Sequence, residues 1–545
     1  MSKRRPTRKR SGLSAAPVKS EPERVNAGFQ VSATAVILAA YASFLVHPIN
    51  LTDSDLGRHL KNGELFLQSA FIGNTNLYAY TTSDQPFVNH HWGSGVVFYL
   101  IERMAGFHGI SLCFMAVSLV TLWLFFHLAA RYSSFSLAAL LAIVVMPVLI
   151  TRHEVRPEMF SYLLSGLFLH LLWDYKYRKR GSRWLFLLPI LQILWVNLHI
   201  YFFIGMALVA IFLLESLVKI AVDRSGESKD CCDHCKCLAA ILFLTFVASC
   251  INPAGIFGAV YPLFIFQGYE FPVIENYSVS AILKAGFQFL PLVYFQIVFA
   301  TLGLSWLYAL MKDRPNLSLA NFLLTVFFSA MAWWTIRNFA MFAYFALPLT
   351  AVNFSKAATG WKSNSSFSML TVSGAAVGVA ILLVLINPLY FFGGGRGKFG
   401  FGLKDGNRAA ADFFLRENLQ GPIFNNFDIG GYLIYYLYPR QRVYVDNRPE
   451  AYPPSFFGDD YFPLLVNDER WRNGVQLNRF NVIFMNHRGR SAAGESFIVR
   501  RVLDPDWSAV FFDADVIILV RRHEANRSVI AKHELPRETI LQRMN

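Results

Sequence analysis

Long apolar segments alternate with short polar ones over most of the chain. Stretches of about 18 or more apolar residues recur between residues 29 and 392, and each is long enough to cross a hydrocarbon core of roughly 30 Å as a helix. From Gly393 onward charged residues are interspersed with apolar ones, as in a soluble domain. The pattern predicts an α-helical polytopic membrane protein with a C-terminal α/β domain outside the bilayer.

The apolar segments correspond to about eleven predicted spans. The basic tail 1–28 and the basic loop KYRKRGSR flank spans, and basic flanks stay cytoplasmic. The first span therefore leads to a large outer loop over 48–107, and an odd number of spans places the C-terminal domain outside the cytoplasm. The predicted spans are 29–47, 108–130, 134–150, 158–174, 184–199, 200–219, 238–254, 286–311, 318–336, 339–355 and 367–392.

The C-terminal part follows a glycine-rich linker, 393–403, and divides into a domain over 404–521 and a tail over 522–545. Helical segments separate three short predicted strands, which favours a mostly parallel sheet closed by an edge pair. The turn Arg448-Pro449-Glu450 either binds a ligand at a strand end or pins the domain to the membrane part. The strands are PIFNN, RVYVDNR and NVIFMNH, and the edge pair is SAVFFD with DVIILVRR.

Composition supports the membrane class. The chain of 545 residues is 54% hydrophobic and 16% charged, whereas an ordinary soluble domain is about a quarter charged. Its net charge of +14 would suit nucleic acid, but the basic residues cluster in the tail MSKRRPTRKR and in one short loop. Orientation in the membrane explains that clustering, with contact to anionic lipid as the alternative, so no nucleic-acid partner is expected.

Several polar clusters fall on the outer side by this count, among them the arginines Arg152, Arg156 and Arg337 and the loop that bears Glu275. An arginine near membrane depth is costly, about 2.5 to 3.5 kcal/mol at a helix centre on insertion scales, and therefore needs a partner. Each arginine either pairs with a lipid phosphate or shares one polar site with the others. Paired, charge-assisted hydrogen bonds from guanidinium groups suit a phosphate ligand.

The stretch LTDSDLGRHLKNGELF follows the first span directly and places Asp53 and Asp55 on the same outer side. A carboxylate beside bound phosphate can take a proton from an attacking hydroxyl or hold a divalent cation. The same triplet is also ordinary cap and turn chemistry ahead of a helix. Its position opposite the outer arginines favours the chemical role, in transfer from a phosphate-linked lipid donor.

A set of motifs resembles bacterial membrane proteins of the GT-C glycosyltransferase superfamily. Protein O-mannosyltransferases, the lipid A aminoarabinose transferase and the oligosaccharyltransferase catalytic subunit are more distant relatives. The resemblance covers about residues 30 to 521. The motifs are TDSDLGRHLKNGE, TTSDQPFVNHHW, RHEVRPEMFSYL, LQILWVNLHIYFFIG, INPAG and GGYLIYYLYPRQRVYVDNRPEAY.

The resemblance implies a polyprenyl-phosphate-linked sugar donor and an extracytoplasmic lipid, glycan or protein acceptor. It also implies that Asp53, with Asp55 second, is the base or a metal ligand, the metal being Mg²⁺ or Mn²⁺. Relatives often read His-Glu-Trp where this chain has His90-His91-Trp92, so His91 replaces an acid and becomes a candidate metal ligand with Asp53. The predicted substrate-binding residues are Arg58, His59, His90, His91, Arg152, Arg156, Glu158, His199, Glu275 and Arg337.

Three questions stay open at this point. A transporter or flippase for a lipid-linked glycan would also explain the spans and arginines. A catalytically silent scaffold of an envelope complex would explain why this chain has His91 where relatives often have glutamate. The predicted cytoplasmic loop CCDHCKC, 231–237, suits metal binding, palmitoylation or an inert role.

The expected location is a bacterial inner membrane, with a cytoplasmic N-terminus and an extracytoplasmic C-terminal domain.

Overall fold

The long apolar segments form helices, because a helix satisfies every backbone polar group within the segment. The computed structural model describes residues 27–70, 75–178, 181–222, 228–265, 274–287, 289–312, 317–355, 366–393, 399–488 and 492–544. The helices of the first part are α1 (Ala27–Leu45), α2 (Leu56–Ser69), α3 (Trp92–Tyr132), α4 (Phe135–Leu149), α5 (Glu158–Arg178), α6 (Leu187–Leu198), α7 (Phe203–Val222), α8 (Ser228–Ser249), α9 (Gly255–Val260), α10 (Val279–Lys284), α11 (Leu290–Lys312), α12 (Leu319–Trp334), α13 (Phe339–Asn353) and α14 (Ser366–Gly393).

The protein is an integral membrane protein. In the part of the chain that the structure describes, six helical stretches are long and apolar enough to cross a membrane, and shorter apolar helices accompany them. The helices follow the predicted apolar segments closely, while the number of spans, about eleven, stays a prediction. The six stretches are Ala27–Leu45, Trp92–Tyr132, Phe135–Arg152, Ile200–Val222, Cys232–Ser249 and Leu290–Lys312.

Helix α13 forms the centre of the helical part. Its side chains are buried almost all round, and it packs against α3, α4, α11 and α12. A helix that is apolar on every face has no solvent or lipid side to present, so it belongs in an interior.

The loop over 48–107 contains two helical pieces. Helix α2 begins after Asp55, and α3 begins at Trp92 as an outer piece. Gly106 adopts a positive φ of 62° within α3 and separates this outer piece from the membrane-spanning piece. Glycine tolerates that left-handed conformation because it has no Cβ.

The C-terminal sheet has four strands in the order β1-β2-β4-β3. Only β1 and β2 pair in parallel, whereas β4 runs antiparallel to both of its neighbours. The prediction of a mostly parallel sheet is therefore wrong. The elements are β1 (Ile423–Asn425), β2 (Val482–Asn486), β3 (Trp507–Phe512), β4 (Val516–Arg521), α15 (Ala409–Arg416), α16 (Gly430–Leu437), α17 (Phe462–Val466), α18 (Asp468–Asn478), α19 (Ala492–Leu503), α20 (Arg527–His533) and α21 (Arg537–Met544).

The segment RVYVDNR does not form a strand of this sheet, so that strand prediction is also wrong. Val443 instead makes an isolated parallel bridge with Ala79 of the outer loop. The alternating apolar residues are buried, but their neighbours are the outer loop and the domain interior. At the end of the chain, α20 and α21 lie in the segment predicted as a tail, and Ile540 belongs to the same core as Trp471.

The cysteine-rich segment CCDHCKC lies in the first turns of α8 and is not a loop. Cys232 is exposed and Cys235 is buried, and neither forms a disulfide. The described residues contain no group of three or more His, Cys, Asp or Glu side chains placed to hold a metal ion.

Candidate active site

The acidic segment forms a tight turn between the first span and α2. Leu51–Asp53 is a short 3-10 turn, which Asn50 caps by accepting a hydrogen bond from the backbone N–H of Thr52. The side chain of Asp53 is exposed. Asp55 precedes α2, and one of its carboxylate oxygens lies 3.4 Å from Nε2 of His59 and 3.5 Å from Nη2 of Arg58.

The charge state of Asp55 follows from these neighbours. Burial alone would raise the pKa of its carboxyl, but His59, Arg156 and Arg58 outweigh burial and hold that pKa well below its usual range. Asp55 is therefore a carboxylate at neutral pH. Its other oxygen, Oδ1, is buried and has no hydrogen-bond partner among the described residues.

A row of histidine rings extends from Asp55 into the helical part. The ring of His59 lies 5.4 Å from that of His91, which lies 4.0 Å from His90 and 5.0 Å from His199. Burial lowers the pKa of His59, lowers that of His90 to about 3 and lowers that of His91 well below its usual value. These imidazoles are therefore neutral near pH 7, so they contribute hydrogen bonds and shape but no charge.

Hydrogen bonds determine the tautomer of His199. Ser161 Oγ accepts from Trp195 Nε1–H at 2.7 Å and lies 2.8 Å from His199 Nδ1. The backbone N–H of Tyr201 donates to the same Nδ1 at 3.4 Å, so this nitrogen carries a lone pair and also accepts from the serine hydroxyl. The proton of neutral His199 is therefore on Nε2.

The three outer arginines converge on one carboxylate. Glu275 accepts hydrogen bonds from Arg152 and Arg156, both at 3.1 Å, and from Arg337 at 3.3 Å. Burial would raise the pKa of Glu275, but the three guanidinium groups hold it well below its usual value. The three arginines therefore lie in one polar cluster around Glu275.

Two more acids complete this cluster. Glu158 lies 3.7 Å from Arg152 and 3.9 Å from Arg337, and Glu154 lies 2.7 Å from Arg156. Three arginines therefore face three carboxylates. An anionic ligand would have to displace one of these carboxylates from the guanidinium groups in order to bind.

The structure brings the predicted site residues together in two adjoining groups. The first contains Asp55 with the histidines, and the second contains the arginines with the glutamates. Arg156 lowers the pKa of Asp55, which places the two groups within electrostatic reach of one another. Sequence reasoning missed Glu154, Ser161 and Asn447; Glu154 stands two residues from Arg156, and that spacing was the one available signal.

The predicted metal ligands Asp53 and His91 do not belong to a closed metal site in the described residues. Mg²⁺ is usually bound by one or two carboxylates, with water and substrate phosphate as its other ligands. Asp53 is exposed and Asp55 has a vacant buried oxygen, so this pair fits that mode of binding. His91 has histidine rings as its closest aromatic neighbours, and an imidazole suits zinc, copper, iron or nickel better than Mg²⁺ or Mn²⁺.

No family model matches the chain, and no curated protein matches its sequence. Its structure is similar to the archaeal oligosaccharyltransferase AglB from Archaeoglobus fulgidus, solved in complex with an inhibitory peptide and a dolichol-phosphate, with a TM-score of 0.58 and 10% identity over 88% of this chain and 72% of AglB. ArnT from Cupriavidus metallidurans bound to undecaprenyl phosphate has a TM-score of 0.52 and 11% identity over 90% of this chain and 98% of ArnT. Both are GT-C glycosyltransferases.

The chain has a GT-C fold. At 10% and 11% identity the likeness establishes the architecture and not the substrate. The resemblance inferred from the sequence motifs is confirmed at this level. A further structure of the Archaeoglobus fulgidus oligosaccharyltransferase, with a TM-score of 0.50 and 12% identity, contains Zn and sulfate.

Proposed function

We propose that the protein is a glycosyltransferase that moves a sugar from a polyprenyl-phosphate-linked donor to an extracytoplasmic lipid, glycan or protein. The observation that carries the proposal is the convergence of three guanidinium groups, within 3.1 to 3.3 Å of Glu275, beside the ionised Asp55. This combination suits a phosphate leaving group next to a carboxylate. The dolichol-phosphate bound to AglB and the undecaprenyl phosphate bound to ArnT support the donor class.

Arg152, Arg156 and Arg337 would bind the donor phosphate. When the bond between the anomeric carbon and the phosphate oxygen breaks, the polyprenyl phosphate leaves with the electron pair. The arginines stabilise the charge that develops on that oxygen. Glu275 occupies the same guanidinium groups in the structure, so it holds them in a convergent arrangement before the donor arrives.

Asp53 would be the base that takes the proton from the acceptor hydroxyl as its oxygen attacks the anomeric carbon. Its exposed side chain is open to an acceptor outside the membrane. Asp55 assists as a permanent carboxylate, because its depressed pKa makes it a weak base. The neutral rings of His59, His90, His91 and His199 would shape the sugar site, and Arg58 would orient Asp55.

In the alternative assignment Asp53 would be a metal ligand instead of the base, and it would hold a divalent cation together with Asp55. The cation would supply Lewis-acid stabilisation of the leaving phosphate. We place this chemistry at the outer face of a bacterial inner membrane, with the N-terminus in the cytoplasm and the C-terminal domain outside.

The first test replaces Asp53 with asparagine. In a host that lacks the gene, the wild type and Asp53→Asn are restored at matched expression, and envelope glycans and lipids are compared by mass spectrometry. We expect the wild type to restore a sugar-bearing species and Asp53→Asn to accumulate the unglycosylated precursor, with product at least about 100-fold lower. The mass difference identifies the sugar.

Asp84→Asn is the matched control, because Asp84 is an exposed acid of the same outer loop. It should restore the wild-type profile. If both asparagine variants restore that profile, Asp53 is not the base. A wild type that moves a labelled lipid across vesicles without changing its mass would identify a flippase.

A further inference from the structure

The C-terminal domain contacts the acidic segment on both sides of Asp53 and Asp55. Upstream, Asn407 Nδ2 donates to Asn50 Oδ1 at 2.6 Å, and Asn50 is the residue that caps the turn. Asn486 Nδ2 donates to the backbone carbonyl of Thr52 at 3.0 Å. With Asn447, whose contact is described below, three asparagines of the domain reach this segment. The segment lies more than 350 residues away in sequence, since the first pair is separated by 357 residues.

The side chain of Asn486 is held so that its amide group must donate. Its Oδ1 accepts the backbone N–H of Arg488 at 2.8 Å, and Asn426 binds its backbone N–H and carbonyl. Asn486 is 3% exposed. The amide nitrogen of Asn486 therefore faces the Thr52 carbonyl, because the amide oxygen already accepts from the backbone N–H of Arg488.

Downstream of the acids, Asn447 acts through Arg58. Asn447 Oδ1 accepts from Arg58 Nε at 3.3 Å, and Nη2 of the same guanidinium lies 3.5 Å from Asp55 Oδ2. Arg58 is 4% exposed, so the side chain has little room to take another direction. One planar guanidinium thus joins the C-terminal domain to the carboxylate of Asp55.

The backbone approaches closely at the same place. A Cβ on Gly431 of α16 would lie 2.8 Å from the carbonyl oxygen of Ser54, and a Cβ on Gly57 would lie 2.6 Å from the carbonyl oxygen of Gly431. Only glycine permits this approach without displacing a backbone. The same Cβ on Gly431 would lie 3.4 Å from Asp55 Cα and 3.5 Å from Asn447 Nδ2, so the glycine contact adjoins both residues.

We propose that the C-terminal domain is a positioning element for the acidic segment, with Asn447 and Asn486 as positioning residues that orient Asp55 and Asp53 toward the arginines. This inference rests on the proposed function. A misplacement of about 1 Å at a reacting group can cost on the order of 100-fold in rate. The domain therefore contributes to transfer without touching the donor.

The test compares Asn447→Leu, which removes the acceptor for Arg58, with Asn447→Asp, which keeps an oxygen there. Asn473→Leu is the control, because Asn473 is an exposed asparagine of α18. The product-to-precursor ratio is measured in the restored host, as for Asp53→Asn. We expect Asn447→Leu to lower the ratio about 10-fold to 100-fold, and the other two variants to stay within about 3-fold of the wild type.

Rescue by Asn447→Asp distinguishes positioning from a general loss of folding, because an oxygen at this position again accepts from Arg58 Nε.

The unfolding temperature of each purified variant, in full-length form in detergent, completes the experiment. If Asn447→Leu unfolds early, Asn486→Asp replaces it: this variant is isosteric but cannot donate to the Thr52 carbonyl, and the same loss is expected. Wild-type ratios in both variants would overturn the inference. If the wild type itself restores no sugar-bearing species, the proposed function fails, whereas wild-type transfer with unchanged ratios in the variants overturns the positioning role alone.

Discussion

At the scale of single residues, Glu275 is the acidic side chain on which three arginines converge. Its carboxylate accepts from Arg152, Arg156 and Arg337, and Glu154 and Glu158 supply the other two negative charges of the cluster. Removing one partner of a partly buried ion pair leaves the other groups without compensation, which costs more than the pair itself contributes. The sequence indicated the three arginines and this glutamate as members of one site, but it could not indicate that they pair with each other.

Glu275→Gln tests this arrangement. The amide keeps the shape but loses the charge that the three guanidinium groups share, so we expect the unfolding free energy to fall by about 1 to 3 kcal/mol. The measurement is thermal unfolding of the purified protein in detergent. Glu524→Gln serves as the control, since the side chain of Glu524 is 86% exposed, and it should leave the unfolding temperature unchanged. Equal unfolding temperatures for both variants would contradict the role of Glu275.

At the scale of elements, the crossing of α2 and α16 decides how the C-terminal domain meets the outer loop. Both segments form helices. Their contact at Gly57 and Gly431 was not predictable, because the two glycines lie far apart in the chain. Taken alone, each glycine is only a residue of low helix propensity. The close approach exists only once both helices are in place.

Gly57→Ala should force α2 and α16 apart at the point where they cross. The new Cβ would lie 2.6 Å from the carbonyl oxygen of Gly431, which is backbone and cannot turn away. We expect a loss of about 1 to 3 kcal/mol in stability, as for other overpacked sites. Thermal unfolding gives the measurement.

Gly303→Ala in α11 is the control, because nothing lies within 4 Å of the position of its Cβ. Alanine is the better helix former, so this variant should be neutral or slightly more stable. An unfolding temperature for Gly57→Ala at or above that of Gly303→Ala would show that the crossing tolerates the methyl group.

At the scale of the whole molecule, the helices separate two polar ends. Asn197 donates to the backbone carbonyl of Ile251, so the end of α8 lies near the candidate site. Cys232 lies near the other end of α8, roughly 25 Å away at a rise of 1.5 Å per residue. The proposed topology therefore places Cys232 in the cytoplasm and the C-terminal domain outside.

Labelling with a membrane-impermeant maleimide tests this topology. Two variants each carry one cysteine, either the native Cys232 or Asn473→Cys, with the remaining cysteines replaced by serine. Both positions are exposed, so each cysteine can react once the reagent reaches it. In intact spheroplasts we expect the cysteine at position 473 to react, whereas Cys232 should react only after permeabilisation. The reverse pattern would invert the topology and move the candidate site to the cytoplasmic side.

The sequence by itself determined the membrane character, the helices and most C-terminal elements, because apolar runs and local periodicity act over a few turns of chain. It also placed Asp55, the histidines and the outer arginines at one end, since the parity of spans carries that information. Only the tertiary structure decided the pairing of the arginines with Glu275, the mixed sheet, and the place of RVYVDNR against the outer loop. These features depend on contacts between distant segments, such as Asn447 with Arg58, and no local pattern specifies which distant partner a side chain meets.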